Sequence, residues 1–227
     1  MPMRLDGPGL APLSGGNAAY LVVLLHGVGA NGNDLISLAR AWRTILPETE
    51  FIAPNAPFPC DYAPGARQWF SLADRAPEKL LAGLREAATI LDRFFVELLA
   101  SRQLGDARLA LAGFSQGAAT ALYAGLRRQT QIAGIVAFSG ALPGGEGMRS
   151  DIRSKPPVLL VHGEADDVVS FQSMANAQTV LEAAGVSVTV VARPGLGHAI
   201  DDAGIALGGD FLRYVLKAPQ ADAGVAV

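Results

Sequence analysis

Apolar positions follow two alternating patterns along this chain. Tyr20–Leu25 is an unbroken apolar run with β-branched residues. Such a run predicts a strand buried on both faces, as in a parallel sheet. After it, Leu35, Leu38, Ala39, Trp42 and Ile45 recur at helical spacing. They predict a helix capped by Asn33 or Asp34 and stopped by Pro47. Phe51–Pro54 predicts a second short strand. Within Pro77–Arg102, Leu80, Leu81, Leu84, Ala88, Leu91, Phe94, Phe95, Leu98 and Leu99 form one stripe of a long amphipathic helix. Arg108–Ala112, Ile132–Phe138, Val158–Val161 and Val186–Val191 predict further strands. Helices are predicted over Ala118–Leu126, over Phe171–Ala184 with Gly185 closing it, and over Asp201–Leu216. Strands alternating with helices predict an α/β, doubly wound sheet.

The intervening stretches are less regular. Residues 1–19 are rich in Gly, Pro and Ala and suggest a short edge hairpin around Asp6-Gly7. Residues 55–76 read as a long surface loop, residues 141–157 as a connection without periodicity, and 218–227 as a mobile tail.

Composition narrows the functional classes. A chain of 227 residues, 50% hydrophobic and 17% charged, fits a single globular domain with a large core. The net charge of −3 and the lack of a basic cluster argue against nucleic acid as a partner. Cys60 is the one cysteine, so no internal disulfide is expected and a reducing compartment suits the chain. The first residues hold no apolar signal core, and the run Ala18–Leu25 is too short to cross a membrane. A cytoplasmic protein without integral membrane association is the expectation.

The candidate chemistry lies in Gly113-Phe114-Ser115-Gln116-Gly117, between an apolar strand and a helix of small residues. Gly-x-Ser-x-Gly in that setting is a nucleophile elbow. The serine sits on a sharp turn, and side chains at either glycine would collide with the neighbouring strand or helix. The backbone N–H of Gln116, in the first helical turn, is free to bind an oxyanion. A serine nucleophile needs a base, and the base an orienting acid, in the chain order Ser, Asp or Glu, His. His198 is the histidine that follows the last strand. Asp166 and Asp167 are both candidates for the acid, with Glu164 a weaker third. Val28, in the glycine-rich loop after the first long strand, is the natural second oxyanion donor. Trp69 suits a cleft wall or the core equally. His26 and His162, each between a strand and a glycine, read as residues that shape strand-end loops. Their spacing contains no metal-binding pair, so no metal is expected. Cys60 has no histidine in a recognisable pattern and reads as incidental.

These segments resemble the phospholipase/carboxylesterase family of small α/β-hydrolases, which includes bacterial carboxylesterases and acyl-protein thioesterases. The likeness runs through Leu21–Leu35, Ala53–Pro57, Arg67–Leu72, Leu111–Ala119, Phe138–Pro143, Val158–Val169 and Gly195–Ile200. It implies an α/β-hydrolase fold with a mostly parallel sheet, helices on both faces and no cap domain. It implies Asp166 as the acid, oxyanion donors at Val28 and Gln116, and Trp69 and Leu196 near the acyl pocket. Ser170 stands where many members carry proline. The implied activity is hydrolysis of carboxylic esters of short to medium acyl chains, without cofactor. Lysophospholipase or acyl-protein thioesterase activity is the alternative, and a non-catalytic binding module the remote one. A homodimer is compatible with the family.

Overall fold

The computed structural model describes residues 5–143 and 145–217, so the tail at 218–227 lies outside the described residues. Seven strands form the main sheet: β1 (Gly9–Leu10), β2 (Tyr20–Leu25), β3 (Thr49–Ile52), β6 (Leu109–Phe114), β7 (Gly134–Phe138), β8 (Val158–Gly163) and β9 (Val188–Arg193). Their order is β1-β3-β2-β6-β7-β8-β9, with every neighbouring pair parallel except β1 with β3. Two short strands, β4 (Phe58–Pro59) and β5 (Arg67–Gln68), make a separate hairpin. The helices are α1 (Gly32–Leu35), α2 (Ser37–Trp42), α3 (Pro77–Arg102), α4 (Gln116–Leu126), α5 (Gly145–Arg149), α6 (Gln172–Ala183) and α7 (Asp202–Lys217). No described helix is long and apolar enough to cross a membrane.

The strand alternation divides the core between two faces. Leu21, Val23 and Leu25 of β2 point to one face, joined by side chains of α3, α4 and α6. Val22 and Leu24 point to the other, joined by Leu38, Ala39 and Trp42 of α2 and Leu212 and Val215 of α7. Burial of both faces is why β2, β6, β7 and β8 read as continuous apolar runs. Every residue of α4 is buried, and its Gly and Ala positions let it lie close on the sheet.

The chain reverses direction across the sheet between β2 and β6. It runs outward from β2 to β3, then crosses to β6 on the other flank of β2. The crevice at the carboxyl ends of strands flanking such a switch point is where doubly wound folds bind ligands.

Several expectations need correction. The first helix is capped by Asn31, not Asn33 or Asp34: the Asn31 side chain accepts from the Asn33 N–H, and Asp34 accepts from the Asn31 N–H. That helix breaks at Ile36 into α1 and α2, ends before Arg43, and leaves Ile45 exposed. The edge element near the N-terminus is not a hairpin around Asp6-Gly7, because Gly9 and Leu10 pair with Ile52 and Phe51. The segment at 55–76 is only partly surface loop: it contains β4 and β5, and Gln68, Trp69 and Phe70 are buried. The connection at 141–157 holds α5.

Candidate active site

The sharp turn after β6 gives Ser115 φ 55° and ψ −118°, a conformation that side-chain-bearing residues seldom adopt. Its N–H donates to the Phe138 carbonyl at 2.9 Å, which ties the turn to the end of β7. The flanking glycines are sterically required. A Cβ on Gly117 would overlap the Leu25 carbonyl, and one on Gly113 would overlap the Gly117 carbonyl.

The loops after β8 and β9 bring two side chains to this serine. Ser115 Oγ lies 2.9 Å from His198 Nε2, and His198 Nδ1 lies 2.7 Å from Asp166 Oδ2. With the carboxylate accepting at Nδ1–H, Nε2 carries the lone pair that accepts from the serine hydroxyl. Asp166 Oδ1 accepts from the N–H groups of Val168 and Val169 at 2.9 and 2.8 Å. Burial pushes this carboxyl's pKa up. The hydrogen bonds from His198 and the two N–H groups outweigh it and hold the group below its ordinary value. Asp167 and Glu164 are exposed, so among the adjacent carboxylates the turn aims Asp166 at the histidine.

A residue read only as shaping a loop also touches this carboxylate. His162 Nε2 lies 3.1 Å from Asp166 Oδ2 and 2.9 Å from the Val169 carbonyl. Both partners are acceptors, so Nε2 carries the proton. The His-Gly pair at the end of β8 was a signal for a structured loop, but contact with the acid depends on a turn that spacing does not encode. The His198 loop is closed at its base by Arg193, which forms a two-pronged pair with Asp201 at 2.7 to 3.3 Å.

A cleft of about 260 Å³ opens beside Ser115, with Val28 and Gln116 in its lining. The N–H groups of both have no acceptor among the described residues. Beneath them, four long-range hydrogen bonds lock the loops together. His26 Nε2 accepts from the Ala56 N–H at 2.9 Å, so its Nδ1–H donates to the Gly27 carbonyl at 2.7 Å. Burial holds this histidine's pKa below its ordinary value. Gln116 Oε1 accepts from the Trp69 N–H, and its Nε2 donates to the Phe70 carbonyl. Trp69 Nε1 donates to the His26 carbonyl at 2.8 Å.

Trp69 is therefore a fully buried strut and does not line the cleft. Leu196 does not line it either. Its carbonyl accepts from the Ala165 N–H at 2.9 Å and joins the two loops that carry Asp166 and His198. Phe70, Leu72, Leu80, Pro143, Val168 and Val169 supply the apolar walls instead. Cys60 is partly buried beside the β4–β5 hairpin, in a different depression. Among the described residues, no three His, Cys, Asp or Glu side chains converge as a metal cluster.

The family model described as Phospholipase/Carboxylesterase matches residues 14–216. The chain belongs to the phospholipase/carboxylesterase family. It is an enzyme of the carboxylesterase-type serine hydrolase class. Acyl-protein thioesterase 1 of Neurospora crassa is 28% identical over 193 residues, covering 78% of this chain and 79% of that protein. A probable carboxylesterase of Oryza sativa subsp. japonica is 30% identical over 210 residues, covering 88% and 79% respectively. Among solved structures, esterase PE8 is similar with a TM-score of 0.89 and 43% identity, over 94% of this chain and 100% of that one. Acyl-protein thioesterase 2 of Zea mays is similar with a TM-score of 0.69 and 27% identity, over 94% and 99%.

Proposed function

We propose that the chain hydrolyses carboxylic esters of short to medium acyl chains, with Ser115 as nucleophile, His198 as base and Asp166 as the orienting acid. The observation that carries this reading is the unbroken contact from Ser115 Oγ through His198 to Asp166, at 2.9 and 2.7 Å, on a strained elbow beside an apolar cleft. Ser115 Oγ attacks the carbonyl carbon while its proton passes to His198 Nε2. Asp166 keeps the ring in the correct tautomer and stabilises the imidazolium. The N–H groups of Val28 and Gln116 receive the oxyanion. Collapse of the tetrahedral intermediate breaks the bond to the leaving group, which His198 protonates. Water, deprotonated by His198, then attacks the acyl-enzyme and releases the acid and Ser115. None of these steps draws on a cofactor.

Two further points support the reading. A cleft of about 260 Å³ with apolar walls suits a short or medium chain. The thioesterases among the relatives favour thioesters as a second substrate class, since His198 serves a thiolate leaving group in the same way. The working compartment we assign is the cytoplasm, where a lone, partly buried cysteine stays reduced.

A series of matched esters and thioesters of increasing chain length tests this reading. kcat/KM is expected to peak at short or medium chains and to collapse in Ser115→Ala and His198→Ala. A long-chain optimum would overturn the size assignment, and full turnover in Ser115→Ala would overturn the nucleophile.

A further inference from the structure

The cleft holds one group that hydrolysis of a neutral ester leaves unused. Its walls are apolar, Ser115 and Gln116 lie at its floor, and among the described residues the one charged residue lining it is Arg75. Arg75 is exposed. Among the described residues its guanidinium meets no hydrogen-bond acceptor, ion-pair partner or aromatic ring. Arg85, Arg102, Arg128, Arg193 and Arg213 each pair with an Asp or Glu. Three carboxylates near Arg75 in sequence or near the cleft are already engaged, and among the described residues no ion pair joins Arg75 to the exposed Glu78 or Asp167. Asp74 accepts from the Ala76 N–H, Asp61 binds Ser71 and the Leu72 N–H, and Asp166 is buried behind His198. Among the described residues, no acidic residue lines the cleft. A guanidinium left unpaired beside apolar walls favours a ligand that brings its own anion, and its planar fork matches carboxylate or phosphate oxygens two at a time.

We propose that Arg75 makes the cleft selective for esters that carry an anionic group, a carboxylate or a phosphate, beyond the scissile bond. This rests on the reading of Ser115 as nucleophile and names the substrate class for that site. Arg75 holds the anion alike in the ground and transition states, so the preference is expected in KM rather than kcat. Because Arg75 is exposed, the preference should fade with salt.

The test uses two matched pairs of esters. In one, the acyl chain ends in a carboxylate or in its methyl ester. In the other, the leaving group carries a phosphate or a neutral hydroxyl. The anionic member of at least one pair is expected to be favoured about fivefold in kcat/KM, as for an exposed ion pair. Which pair responds tells acyl-side from leaving-group recognition. The ratio should fall to about one in Arg75→Gln and at high salt, and be partly restored in Arg75→Lys. Equal rates within both pairs, or the same preference in Arg75→Gln, would overturn the proposal. Calorimetry on Ser115→Ala, comparing a medium-chain fatty acid anion with the alcohol of equal length, reads the anion site without turnover. A preference for the anion that depends on Arg75 upholds the site even if Ser115 fails as nucleophile, and equal binding overturns it.

Discussion

Beneath the cleft, the side chains of His26, Trp69, Gln116, His162 and Asp166 are all less than a tenth exposed, and each hydrogen-bonds to a loop other than its own or across its own loop. At the rim, Val168 is 68% exposed and Arg75 is exposed and unpaired. On the proposed mechanism, the floor holds its polar groups where charge develops during acyl transfer, so little reorganisation is left for the reaction itself. The rim has few contacts to lose, and it can vary to suit a substrate at small cost to the fold. Substitutions should therefore separate, with chemistry or stability failing on the floor and selectivity shifting at the rim.

The largest effect is expected from Ser115→Ala. It should lower kcat by about 10⁴- to 10⁶-fold while leaving the melting temperature near that of the parent, measured by steady-state kinetics and circular dichroism. Gly117→Ala comes next. Its Cβ meets the backbone of Leu25 and His26, which cannot swing away as a side chain could, so a loss of about 3 kcal/mol or more is expected in urea unfolding. Gln116→Ala keeps the backbone N–H proposed to bind the oxyanion but strands the buried Trp69 N–H and Phe70 carbonyl. Urea unfolding should show a loss of about 2–4 kcal/mol, with reduced kcat as the loops loosen.

Acidification should also act on the floor. Burial depresses the pKa of His26 below 6.5, so below that pH the unfolded chain takes up a proton before the folded one does. His26 thus contributes stability that is full above pH 6.5 and lost as pH falls toward its folded value. Melting temperature against pH should decline over that window, with a shallower slope in His26→Gln. At the rim, Val168→Ser is expected to change unfolding free energy by no more than about 0.5 kcal/mol, with its effect on KM for apolar esters. A loss at Val168 as large as that at Gln116 would erase the distinction between floor and rim.

The same division governed what was legible in the sequence. β2, β6, β7 and β8 were plain because burial on both faces leaves a continuous apolar run. The elbow was plain because its glycines are required by contacts within a few residues of the serine and with the adjacent strand. Asp166 could not be told from Asp167 by spacing, since a one-residue step changes direction more than distance; the family resemblance singled it out. Asn31 was passed over because a capping box depends on Asn31 and Asp34 acting on each other's backbone. Trp69 and Leu196 were expected near the acyl pocket, yet they act as a buried strut and a backbone bridge. Their partners, His26 and Ala165, lie in other loops, and no local pattern records which loops meet.

The central claim is that the hydroxyl of Ser115 is activated by His198. Reaction of the folded protein with a fluorophosphonate, followed by intact mass and peptide mapping, tests it most directly. A single adduct on Ser115 that disappears in His198→Ala is the expected result. No adduct on the folded protein, or an adduct formed equally fast in His198→Ala, would contradict it.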